Sequence, residues 1–136
     1  MNFKTQVCTT LEQSGRLLAL GLKKETADMF YYLDDHYGPT AYVLYADLPN
    51  GWDDDYVPAW SLHRLMELCP QAIHLDDYAD THYRLTVNPL KVIYIRDDKQ
   101  WLKQCDEGNT YDRMIDMIEW LIKNNYFNRE YLEETK

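Results

Sequence analysis

The densest group of metal-ligating side chains lies in a stretch of nine residues that holds His74, Asp76, Asp77, Asp80 and His82. Imidazole and carboxylate groups both bind divalent first-row metals, so this group is a candidate metal site. Its spacing matches neither the HExxH pattern nor a calcium loop, which needs a glycine and a terminal Glu. The alternative, which we favour, is a solvated acidic loop leading into a strand with His82 on the exposed face.

Two further acidic groups, residues 34–36 (Asp-Asp-His) and 53–55 (three Asp), raise the possibility of catalysis. Paired carboxylates can share a proton or hold magnesium during phosphoryl transfer. No glycine-rich phosphate loop or serine nucleophile elbow accompanies them, and acidic runs in loops are usually solvated. We therefore predict no catalytic residue and no cofactor. An enzyme acting on a small or phosphorylated substrate through these acidic loops remains an alternative hypothesis.

The chain is also rich in aromatic residues, with twelve tyrosines and four tryptophans. Helical periodicity places Trp120 on the polar side of a predicted helix. Two alternatives follow: Trp120 packs internally against Tyr126 and Phe127, or it contacts another chain, since Trp is enriched at interface hot spots. Trp52, in the acidic loop 48–57, is the second predicted interaction residue.

Composition excludes several classes of protein. The net charge of −9 argues against a nucleic-acid binder and against attraction to anionic membranes. The N-terminal residues lack the apolar stretch of a signal peptide, and no apolar run reaches the ~20 residues of a membrane span, so we expect a cytoplasmic protein. Cys8, Cys69 and Cys105 are too few and too widely spaced for a disulfide framework or a CxxC zinc site.

Periodicity and capping signals predict a single α+β domain over residues 1–136, with a small antiparallel sheet of three or four strands and about three helices packed mainly on one face. A loop is predicted at 48–57, and 100–108 is ambiguous. Leu11, Leu18 and Leu22 are expected on the inner face of the first helix, and Ile118 and Leu121 on that of the last. The predicted helices cover 10–20, 61–69 and 109–124, and the predicted strands cover 27–33, 41–45, 83–87 and 91–96.

Several of these segments together resemble a family of small uncharacterised proteins from gut anaerobic bacteria and their phages and mobile elements. The matching segments carry Thr10–Lys23, the strand around Phe30, Val57–Pro70 and Ile118–Ile122. They are helix starts, strand cores and a final helix, so the resemblance implies a phage or mobile-element origin and assigns no chemistry.

The favoured hypothesis is a non-enzymatic protein-interaction module that could associate with itself, with a protein partner and no nucleic acid or membrane. Its basis is the aromatic surplus together with the lack of catalytic motifs. A third hypothesis is an acidic mimic of nucleic acid, which would need its carboxylates aligned along one face.

Overall fold

The computed structural model describes residues 6–33, 42–45, 51, 55–75 and 82–134. Within them the α+β class is confirmed by three α-helices and two antiparallel sheets, so the strands form two small sheets where the sequence predicted one. The helices are α1 (Leu11–Ala19), α2 (Leu62–Leu68) and α3 (Thr110–Lys123). The first sheet, in the order β2-β1-β3, contains β1 (Met29–Leu33), β2 (Tyr42–Tyr45) and β3 (Tyr56–Ala59). The second sheet follows chain order and contains β4 (Ala72–His74), β5 (His82–Asn88), β6 (Lys91–Ile95) and β7 (Trp101–Cys105).

These elements fall into two compact units. The first unit runs to Arg64 and includes the C-terminal residues from Tyr131, and the second runs from Leu65 to Glu130. The division lies inside α2, so it does not coincide with a loop. The single domain that the sequence predicts stays a prediction.

The first sheet pairs the two strands predicted at 27–33 and 41–45, since β1 pairs with β2 and sets Phe30 opposite Tyr45. On its other side β1 pairs with β3, where Phe30 faces Pro58. The predicted loop 48–57 is wrong for Tyr56 and Val57, which belong to β3. Proline cannot donate a backbone hydrogen bond and disguises a strand in the sequence, yet it is tolerated here because β3 is at the edge of its sheet.

Helix α1 begins with a capping box: Thr10 accepts from the backbone of Gln13, whose side chain returns to the Thr10 N–H. The predicted inner face is only partly correct. Leu11 is 41% exposed and Leu18 is half-buried, while Leu22 is buried but lies beyond the end of the helix. The residues buried in the helix are Gln13, Ser14 and Leu17. Two of these are polar, and hydrogen bonds rather than hydrophobicity make their burial favourable.

Trp60 is the best-connected residue of the first unit and is completely buried. Its backbone N–H donates to Thr9 Oγ1 over 3.1 Å, and its carbonyl accepts from the Thr9 N–H over 2.9 Å. The indole Nε1 donates to Thr26 Oγ1 over 3.0 Å, and that hydroxyl donates in turn to the Lys23 carbonyl. Thr9 Oγ1 also lies 2.7 Å from the buried Ser14 hydroxyl. Every polar group of this tryptophan is therefore satisfied, as burial requires.

Ser61 caps the start of α2. Its hydroxyl accepts from the Arg64 N–H, three residues into the helix, over 3.2 Å. Asp28 accepts hydrogen bonds from both the backbone N–H and the hydroxyl of Ser61. The hydroxyl is thus committed to a structural role, in which it ties the helix start to the segment before β1.

In the second unit, α3 packs on β6 and β7. Asn109 caps it in a box with Asp112. The predicted burial of Ile118 and Leu121 is confirmed, since both are fully inaccessible to solvent. Strand β6 lies between β5 and β7, and its residues Val92, Ile93 and Tyr94 are all buried. Because neighbouring residues of a strand point to opposite faces, the middle of β6 is covered on both sides.

The Trp60 network predicts a specific destabilisation by Thr26→Val, which keeps the side-chain shape but leaves the indole N–H without an acceptor. We expect the free energy of unfolding to fall by about 1–3 kcal/mol, measured by urea titration. Thr86→Val, on an exposed position of β5, is the matched control and should change stability by less than about 0.5 kcal/mol. Equal effects of the two substitutions would contradict this role for Trp60.

Candidate functional site

One end of the four-stranded sheet brings together two of the histidines predicted from the sequence. His74 on β4 lies directly opposite His82 on β5, and the two ring centroids are 5.2 Å apart. Directly opposite residues of antiparallel strands project from the same face of the sheet. The structure therefore joins the two ends of the candidate metal group, whereas Asp76, Asp77 and Asp80 lie outside the described residues.

Arg84 lies beside this histidine pair. Its Nε donates a hydrogen bond to His82 Nε2 over 2.9 Å. An imidazole nitrogen accepts a hydrogen bond through its lone pair, so this contact engages Nε2 of His82. The contact fixes the plane of the Arg84 guanidinium, while the side chain as a whole remains exposed.

The turn between β6 and β7 forms the other wall of the site. Arg96 lies over the ring of Tyr83, with 5.7 Å between its guanidinium carbon and the ring centroid, and forms an ion pair with Asp98 over 3.1 Å. The turn closes through the Lys99 N–H, which donates to the Arg96 carbonyl, and Lys99 adopts a positive φ of 73°. A turn therefore joins β6 to β7 at these residues, and Arg96 makes two side-chain contacts, one with Asp98 in the turn and one with Tyr83 on β5.

Together these walls enclose an open notch of about 370 Å³ that is lined by His82, Arg84, Arg96, Asp97 and Asp98. Two cations and two carboxylates line it. The notch is thus electrically balanced in a protein of net charge −9. An anionic group can therefore bind only next to an arginine of the notch, and a cationic group only next to an aspartate.

A row of side chains continues from the notch across the sheet. Arg84 lies opposite Ile95, and Ile95 lies opposite Trp101 on the edge strand β7. Trp101 is 57% exposed, which makes it an apolar surface residue of unusual size. Because neighbouring strands are about 4.8 Å apart, the backbones at Arg84 and Trp101 are separated by about 10 Å. We call Arg84, Ile95 and Trp101 the Trp101 surface.

The sequence did not single out Trp101, because residues 100–108 showed no clear periodicity. The signal that could have found it is the turn Asp97-Asp98-Lys99, which joins β6 to a short run containing Trp101 and Leu102 and is typical of a hairpin. Arg84 was recognised only as the exposed position of an alternating strand.

The two tryptophans predicted as interaction residues have different outcomes. Trp120 is partly exposed and packs against Tyr126, with ring centroids 5.4 Å apart, and its ring lies 6.4 Å from that of Tyr94. This is the internal alternative raised by the sequence, although a contact of Trp120 with another chain is not tested and stays a prediction. Trp52 lies outside the described residues.

The three cysteines are buried thiols. Burial raises the pKa of Cys69 to about 12 and that of Cys105 to about 11. For Cys8 burial again raises the pKa, while a hydrogen bond with Tyr31 opposes the rise and nearby Asp28 adds to it. Since the thiolate is the nucleophile, these groups lack the low pKa of catalytic cysteines.

Among the helices that the structure describes, none combines the length and apolar character needed to cross a membrane. No protein-family model matches the sequence, and the chain has no significant match among curated proteins or solved structures.

Metal binding at the histidine pair remains to be tested. We expect no binding heat when Zn²⁺ or Mn²⁺ is titrated into the protein, because Arg84 occupies the Nε2 lone pair of His82 and its charge repels a cation. Isothermal titration calorimetry gives the answer. Heat that is lost in His74→Ala and His82→Ala but kept in His63→Ala would contradict this expectation and establish the site.

The raised thiol pKa values predict alkaline destabilisation. Unfolded thiols ionise near pH ~8.5, so the stability from protonated buried thiols is complete below that pH and is lost as pH rises towards 11–12. We expect the free energy of unfolding to fall over this window, and to fall less steeply in Cys69→Ala. Urea titrations at pH 7 to 10.5 measure how steeply the free energy of unfolding falls with pH in the wild type and in Cys69→Ala. Identical slopes in the two proteins would show that the Cys69 thiol does not cause the alkaline destabilisation.

Proposed function

We propose that this protein is a non-enzymatic protein-interaction module and that the Trp101 surface is its contact surface. The observation that carries the proposal is the 57% exposure of Trp101 in one row with Ile95 and Arg84. Tryptophan and arginine are the residues most enriched at interface hot spots, where an aromatic anchor and an oriented guanidinium supply most of the binding energy. The Trp101 surface contains both a tryptophan and an arginine, and the hydrogen bond to His82 orients the arginine.

The proposed contact uses side chains rather than strand addition. Strand β7 is the edge of the described sheet, and an unprotected edge invites pairing with another strand. However, β7 carries Lys103. It also contains a bulge, because Lys103 and Trp101 pair with consecutive residues of β6 and leave Leu102 without a partner residue in the register. A lysine and a bulge are two common ways of blocking edge pairing. A partner is therefore expected to meet the sheet face at Trp101.

The setting of this module is part of the same proposal. The resemblance to small proteins of gut anaerobic bacteria and their phages supports a role linked to a phage or mobile element. A cytoplasmic location accords with the composition, and the partner is another protein or a second copy of the chain.

Photo-crosslinking tests the contact surface. We expect p-benzoylphenylalanine in place of Trp101 to give crosslinked products in host cells, because the probe lies at the centre of the contact. The matched control is the same probe in place of Leu90, which is 75% exposed in the turn between β5 and β6. This control should give none of those products.

The identity of the crosslinked species distinguishes the two kinds of partner. A covalent dimer shows self-association, and sedimentation velocity should then show a dimer that Trp101→Ala dissociates. A larger heterologous product identifies a different protein. No product at position 101, or equal products at 101 and 90, would overturn the proposal.

A further inference from the structure

We infer that the Trp101 surface recognises a carboxylate group of its partner, held by Arg84, together with a large apolar side chain that packs on Trp101. This inference rests on the proposed function and names the chemistry that the partner must carry. It follows from how Arg84 is oriented, from the charges around it and from the apolar row beside it.

The first step concerns the geometry of Arg84. Arginine has five N–H donors in a planar fork, and it binds a carboxylate either through Nε with one Nη or through both Nη groups. His82 Nε2 already accepts from Nε over 2.9 Å, which uses the first of these arrangements. Among the described residues no acceptor is recorded for the two Nη groups of Arg84. The exposed edge that remains is the end-on fork, which fits one carboxylate with two parallel hydrogen bonds.

The second step concerns the sign and size of the ligand charge. Arg96, the other cation of the notch, is paired with Asp98, while Asp97 is exposed on the same wall. Because Arg96 compensates the charge of Asp98, the main repulsion comes from Asp97, and a doubly charged phosphate at Arg84 would meet about twice the repulsion that a singly charged carboxylate meets. The surrounding net charge of −9 adds to this selection. The arrangement therefore favours a carboxylate over a phosphate.

The third step concerns the apolar neighbour. Trp101 lies about 10 Å from Arg84 across Ile95, so a ligand that fills both positions must carry an acidic and an apolar side chain on the same side. In an extended peptide, residues i and i+2 point the same way about 7 Å apart, and a glutamate side chain supplies the remaining reach. An acidic residue two positions from a leucine-sized residue satisfies this geometry.

The experiment is an NMR titration of the whole ¹⁵N-labelled chain with acetyl-Glu-Ala-Leu-amide. We expect the Arg84 Nε–H and the Trp101 Nε1–H signals to shift together, with a dissociation constant on the order of 1 mM for so short a probe. The matched probe acetyl-Gln-Ala-Leu-amide keeps the shape and loses the charge. It should bind about tenfold or more weakly, because hydrogen bonds to a charged group are the stronger kind.

Two variants separate the fork from simple charge. Arg84→Gln should abolish the response, and Arg84→Lys should recover only a small part of it, because a lysine keeps the charge but cannot form two parallel hydrogen bonds. Arg84 is exposed, so both variants should melt within a few degrees of the wild type, which circular dichroism checks.

Three results would overturn the inference: no shift at Arg84 with the Glu peptide, equal shifts with the Gln peptide, or equal binding of inorganic phosphate. The last would indicate a general anion site. If crosslinking at position 101 persists in Arg84→Gln while the Glu peptide does not bind, the contact surface stands and the carboxylate is wrong. If the probe at position 101 gives no crosslinked product, the proposed function itself is wrong.

Discussion

The burial of one side of α3 against β6 and β7 is the contact on which the candidate site depends. Met114, Ile115 and Met117 are fully buried along that side, as are Ile118 and Leu121. Each such side chain contributes roughly 1.5–3 kcal/mol relative to its exposed form. The β6–β7 hairpin is thereby held as a rigid support. Its turn carries Arg96 and its outer strand carries Trp101, so the candidate site takes its geometry from this apolar contact.

In the first unit the side chains around Trp60 are positioned in a different way, by hydrogen bonds between buried polar groups. Trp60 fills the interior, but its position is set by hydrogen bonds to Thr9 and Thr26. Such a network fixes one arrangement because any displacement leaves a buried donor without an acceptor. The same reasoning applies to the buried polar residues of α1, since the Ser14 hydroxyl lies 2.7 Å from Thr9 Oγ1 and the Gln13 side chain accepts from the Thr10 N–H.

Two of the described groups with nucleophilic potential, the Ser61 hydroxyl and the Cys69 thiol, have structural roles or surroundings. The Ser61 hydroxyl caps α2 and donates to Asp28, and burial raises the pKa of Cys69 far above neutral pH. By contrast Arg84 and Trp101 are exposed and oriented, which is the condition that recognition of a partner requires. This contrast is why the proposal concerns binding. The predicted enzyme and nucleic-acid-mimic alternatives depend in large part on acidic residues outside the described ranges.

The sequence by itself determined the elements whose signals are local. Helical periodicity located α3, and alternation located β5, because these patterns depend only on neighbours within a few turns or residues. Tertiary structure alone decided that Tyr56–Ala59, Ala72–His74 and Trp101–Cys105 are strands. Short segments gain their strand conformation from pairing partners distant in the chain. For the same reason only the fold could place Trp101 in one row with Arg84 across Ile95, since the register of three strands creates that row and local spacing in the sequence does not show it.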